Sequence, residues 1–152
     1  MTADITAAVA QEIAALHRFF EGWLNGSLAG TEAVFVEHLE RRLDEDFVNI
    51  QPAGVILSRE LLLDRIRKGY AASPAFRIRV DKVAVRRHFA ERGLILATYE
   101  EYQRGARNSA PENTRLSTVL LQQDGSDGSF RWLHIQETWL PEDAISPEAF
   151  RF

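Results

Sequence analysis

Apolar positions change period part-way along this chain, which divides it into a helical part and a β part. Ile5, Val9, Ile13, Leu16, Phe20, Trp23 and Leu24 recur at three- and four-residue steps and form one stripe of a long first helix. Asp4 or Thr2 can cap its start, and Asn25-Gly26 stops it. Thr31 can cap a second helix whose inward positions are Val34, Phe35, Leu39 and Leu43. Asp46 to Gln51 then alternates as a strand and turns at Pro52-Ala53-Gly54. Ser58 is placed to cap a third helix, running to about Tyr70 with Leu61, Leu62 and Ile66 buried, before Ser73-Pro74 ends it.

The remainder reads as strands: about Phe76–Phe89, Gly93–Arg104, Thr114–Gln123 and Phe130–Leu140. Ile78 and Val80 fall on one parity and Val83 and Val85 on the other, which predicts a bulge near Asp81-Lys82. Residues Asp124 to Gly128 form the turn of a closing hairpin, and Gly105 to Asn113 form a polar loop. In the last strand Trp132, His134, Gln136 and Thr138 alternate, so an unbroken strand puts this polar row on the face of the tryptophan. Such a face suits a pocket wall. The order of elements predicts an α+β fold, with three N-terminal helices packed on a strongly curved mixed or antiparallel sheet. Strands this long, about 11 to 14 residues against a usual 5 to 6, curl into a cone with an internal pocket. One domain is expected over residues 1–152, with its core at about 5–140 and a polar tail in which Ser146-Pro147-Glu148 starts one helical turn.

Composition removes several function classes. At 152 residues, 45% hydrophobic and 26% charged, the chain has the makeup of an ordinary globular domain. A net charge of −4 gives no general attraction to nucleic acid or to anionic membranes. The absence of cysteine excludes disulfides, thiolate metal sites and a cysteine nucleophile. No apolar stretch approaches the roughly 20 residues of a membrane span, and the N-terminus lacks the basic region of a signal peptide, so the cytoplasm is the expected compartment. Neither a nucleotide-phosphate loop nor paired histidines at metal-ligand spacing occur, and no cofactor or metal is expected.

Three local motifs, in this order, carry a family resemblance. They are Phe20-Glu21-Gly22-Trp23-Leu24-Asn25-Gly26, Asp46-Phe47-Val48-Asn49-Ile50-Gln51-Pro52-Ala53-Gly54, and the closing hairpin with Phe130-Arg131-Trp132-Leu133-His134. From about Ile5 to Leu140 the chain resembles the nuclear-transport-factor-2-like (cystatin-like α+β) superfamily, in its SnoaL-like and ketosteroid-isomerase-like branch. The resemblance implies a cone-shaped pocket and homodimers formed through the sheet face. It does not carry the isomerase residues across. The position of the family's helix-1 tyrosine is Phe20, that of its general base is Gln51, and Thr114–Gln123 holds no carboxylate for its second acid.

The expected pocket lining is Phe20, Trp23, Asn49, Gln51, Trp132, His134 and Gln136, with Thr98, Glu100 and Ser117 from neighbouring strands. His134 is the candidate acid or base, with Glu100 as its companion; the alternative is a histidine satisfied by hydrogen bonds within the sheet. Asn49 and Gln51 can orient a ligand carbonyl or hydroxyl. Glu100, Glu101, Glu137 and Arg115 resemble, in composition only, the site of limonene epoxide hydrolase. The register expected from the turns splits that set, with Glu100 beside Ser117 and Gln136, and Glu101 and Glu137 on the other face. The functional expectation is a small, largely apolar ligand in the cone. The alternatives are an isomerase, dehydratase or cyclase using His134, and a non-catalytic dimeric module associating through Tyr99, Leu120, Ile135 and Trp139.

Overall fold

A computed structural model of the protein describes residues 4–146 and 148–152. Helix α1 (Thr6–Asn25) buries Val9, Ile13, Leu16 and Trp23 of the expected stripe, with Phe19 buried beside them and the expected Phe20 and Leu24 only half-buried. Asp4 Oδ1 accepts the Thr6 amide at 2.9 Å at its start, while Thr2 lies outside the described residues. Gly26 ends the helix in the left-handed region at φ 83°, and its amide donates to the Trp23 carbonyl.

Helix α2 (Glu32–His38) is short, capped by the Thr31 hydroxyl at 3.2 Å from the Val34 amide. A 3-10 turn then leads into β1 (Leu43–Ile50), so Leu43 begins a strand rather than continuing the helix. A three-residue edge strand, β2 (Ile56–Ser58), pairs back on β1 and has too short a pattern to be read from sequence. Ser58 caps α3 (Arg59–Lys68), which buries Leu62 and Leu63 and leaves Leu61 52% exposed. The expected Leu61 contact is therefore replaced by Leu63, two residues on and on the opposite side of the helix.

The four long strands follow: β3 (Arg77–Phe89), β4 (Leu94–Arg104), β5 (Asn113–Gln123) and β6 (Phe130–Trp139). They form an open six-stranded sheet in the order β2-β1-β6-β5-β4-β3, antiparallel except where β1 runs parallel to β6. The β3–β4 register shifts between Asp81 and Ala84, with Lys82 at φ 54°, where the change of parity places a bulge. This is an α+β fold with its helices on one sheet face. The hydrophobic core lies between them, built on Ile13, Leu16, Phe35, Phe47, Tyr99, Leu121 and Trp132. At the C-terminus Ala149 is buried and Phe150 packs edge-on to Tyr102, while Pro147 of the expected helical turn lies outside the described residues.

Candidate functional site

A bulge in β6 decides which side chains face the helices. On β6, Trp132 pairs with Leu121 but His134 pairs with Leu120, so Leu133 is one residue too many for its partner strand. One extra residue inverts the alternation. Trp132 points inward, and after the bulge Ile135, Glu137 and Trp139 take the inward parity beside Val119, Ser117 and Arg115. The expected polar row of His134, Gln136 and Thr138 is thereby turned onto the outer face. Glu100 and Thr98 lie on that outer face too, opposite Leu116 and Thr118. There Glu100 accepts from the Tyr102 hydroxyl at 2.9 Å and pairs with Lys82, and Thr98 accepts from Arg86. Burial and this bond to Glu100 push the Tyr102 hydroxyl up to about 12. The expected association patch is corrected in the same way, since Tyr99 and Ile135 are buried in the core and only Leu120 faces outward.

The inward parity instead assembles a buried ionic network. His17, one turn beyond Ile13 on α1, donates from Nδ1 to the Ile13 carbonyl at 2.7 Å. Its Nε2 lies 3.0 Å from Glu101 Oε1 and 3.2 Å from the Tyr99 hydroxyl. Both ring nitrogens thus face oxygen atoms. The other Glu101 oxygen accepts from Gln103 Nε2 at 2.5 Å and lies 3.9 Å from Arg115 Nε. Arg115 reaches Glu137 at 3.3 Å and donates to Asn113 Oδ1 at 2.8 Å, with Trp139 under its guanidinium. Asn49 donates to Glu137 Oε2 at 3.5 Å. Glu101 and Glu137 therefore share one arginine.

The two carboxyls are pushed in opposite directions. Burial alone raises Glu101, but the bond and charge of His17, then Arg115 and Gln103, outweigh it and bring the carboxyl down to about 2. Burial also raises Glu137, the neighbouring Glu101 charge raises it further, and Arg115 and Asn49 only partly offset them. Tyr99 is held well above its ordinary value by burial and by the two carboxylates, so it remains a hydroxyl. Ser117 Oγ and Arg115 Nε are buried on the same face of β5 with no hydrogen-bond partner.

A cavity of about 920 Å³ opens above this network, between the end of α1, α3, the turn after β1 and the loop that joins β4 to β5. Leu24, Leu57, Leu62, Ile66 and Phe76 form its apolar wall, while Gln51, Gln103, Arg115 and Trp139 bring polar and aromatic atoms to it. Asn113 fixes the loop at its rim by donating to Gln103, Ser109 and Ala110.

Of the residues singled out from the sequence, the fold places Gln51 on the cavity, while Asn49 is bonded to Glu137 and Ser117 is fully buried, neither of them lining it. Phe20 stands edge-on to His17, at 5.7 Å between ring centroids. Trp23 and Trp132 are core residues, donating to the Ile66 carbonyl and to Glu12. His17 was legible only as a histidine at the edge of an apolar stripe, because its acid partner is 84 residues away. Among the described residues no cluster of His, Asp and Glu is placed to hold a metal ion, and no helix is long and apolar enough to cross a membrane.

Comparison with known proteins places the chain. Residues 9–141 match the family described as sucrose-6-phosphate phosphohydrolase C-terminal. The chain belongs to this family. Its fold is that of the NTF-2-like, cystatin-like proteins. An NTF-2-like protein of unknown function from Pseudomonas aeruginosa is 30% identical, with 88% of this chain covering 99% of that one at a TM-score of 0.77. An NTF-2-like protein from Cytophaga hutchinsonii, 16% identical, aligns over 91% of this chain and all of its own at a TM-score of 0.69. A cystatin-like protein from Caulobacter vibrioides, 17% identical, shares the fold over 91% of this chain and 92% of its own at 0.65. No protein of curated function matches the sequence.

Proposed function

We propose that this family member binds a small, largely apolar molecule in the cavity and orients a carbonyl or hydroxyl of it above the Glu101–Arg115–Glu137 floor. The carrying observation is the pair of buried carboxyls on one arginine, one firmly ionised and the other pushed up. Groups driven apart in this way suit acid–base work, and the raised member is the one poised to exchange a proton. Glu137 is accordingly the proton-transfer residue, while Glu101 and His17 hold Arg115 in place. Gln51 and Arg115, which both line the cavity, supply hydrogen bonds to the ligand oxygen, and the apolar wall takes its hydrocarbon. The cavity lies at the upper end of the usual range for small-molecule sites, about 300–1,000 Å³.

A thermal-shift screen of ketones, alcohols and epoxides with about eight to fifteen carbons tests the binding. A ligand at a hundredfold excess over its Kd adds about 2.7 kcal/mol and raises Tm by several degrees. Ala72→Trp, which fills the cavity from its rim, abolishes that rise. If no compound separates wild type from Ala72→Trp, the reading fails. Turnover of any binder drops by roughly 10²–10⁴-fold in Glu137→Gln and is retained in His134→Ala, as general acid–base catalysis requires.

A second reading concerns the outer sheet face, where no helix covers the central strands. Leu96, Leu116 and Leu120 stand there half-buried in the lone chain. A second copy is the occupant we propose for this face, as a homodimer compatible with the cavity on the other side.

A further inference from the structure

The cavity mouth carries a charge pattern opposite to that of the chain. Acidic residues outnumber basic ones by 22 to 18, yet four cations and no carboxylate line the cavity. Arg115, at the floor, is engaged by Glu101 and Glu137. The other three, Arg65, Lys68 and Arg107, are exposed at the rim. Lys68 shares its charge with Asp64, one helical turn before it. Among the described residues Arg65 forms no ion pair, and Arg107 donates to the Ala72 carbonyl without meeting a carboxylate. A solvated helix face would explain Arg65 and Lys68 alone. It does not explain why the loop after β4 adds Arg107 to the same opening.

Resting on the reading of the cavity as a ligand site, we propose that its occupant is an amphiphile. An oxyanion, either a carboxylate or a phosphate ester, is held at the mouth by Arg65, Lys68 and Arg107. The ligand's apolar body then runs inward past Leu24, Ile66 and Phe76. The orientation follows from charge. At the floor the Arg115 charge is already matched by Glu101 and Glu137 behind the cavity lining, so an anion gains little there, whereas the rim offers guanidinium forks that match an oxyanion.

Isothermal titration of decanol, decanoate and decyl phosphate tests this on the whole chain. At low salt the two anions bind roughly tenfold tighter than decanol, and the advantage shrinks at about 0.5 M salt. In the Arg65→Gln/Arg107→Gln double variant, whose substituted side chains are exposed, the anions fall to the affinity of decanol and decanol itself is unchanged. A larger advantage for decyl phosphate or for decanoate identifies which oxyanion is preferred. Equal binding of all three by wild type, or an equal loss of all three in the variant, overturns the charge inference and leaves the cavity reading intact. Binding of none of them overturns both.

Discussion

At the scale of the residue, Glu101 is held from both carboxyl oxygens, by His17 on one side and by Gln103 and Arg115 on the other. Its carboxyl is brought from an ordinary 4.5 to about 2 in the folded state. A group lowered on folding stabilises the protein fully above its unfolded value and loses that contribution as pH falls through the window between the two. The Tm gap between wild type and Glu101→Gln is therefore widest above pH 4.5 and closes toward pH 2. A gap that stays constant over this range would show that Glu101 is not held as an ion. Glu137 has the opposite sign: its folded carboxyl is raised, so its contribution is present at low pH and is lost as pH rises through that raised value. Removing the shared partner is worse than removing either acid. Arg115→Ala costs roughly 3–5 kcal/mol in urea unfolding, because two buried carboxyls lose their cation.

At the scale of the element, the β6 bulge and one glycine turn set the geometry of the site. Gly105 adopts φ 73° where β4 leaves the sheet, and a Cβ there would collide with the Ala75 carbonyl. Gly105→Ala should destabilise the protein by about 1–3 kcal/mol and loosen the loop that carries Arg107, read as a lower Tm and as earlier amide exchange in residues 105–112. The alternation of β3 announced its bulge, since Val80 and Val83 could not share a face without one. The alternation of β6 gave no such warning. Leu133 and His134 suit either parity, and the sheet accommodates the extra residue between Trp132 and Ile135, both of which are buried. The helical stripes were legible for the opposite reason: Val9, Ile13, Leu16 and Trp23 are buried because a 3.6-residue period admits one apolar face only.

At the scale of the whole molecule, the sheet separates two surfaces of different chemistry. Its inner face carries the cavity and the ionic floor, and its outer face carries the leucine row. Leu120→Glu on the outer face is expected to convert a dimer to a monomer in light scattering while decanol titration stays at its wild-type affinity. A wild type that is already monomeric at micromolar concentration removes the dimer reading and leaves the cavity untouched.

By itself, the sequence determined the helices, the long strands, the closing hairpin and the family resemblance. All of these depend on periods and turn residues within a few positions of one another. Only the tertiary structure decided that the face shared by Glu101 and Glu137 is the one turned toward the helices. That choice hangs on one extra residue at Leu133, which moves Glu137 inward and His134 outward, and on His17 meeting an acid 84 residues away. A single register step exchanges the two faces of a strand, and its outcome is settled by how well the whole inner face packs on the helices.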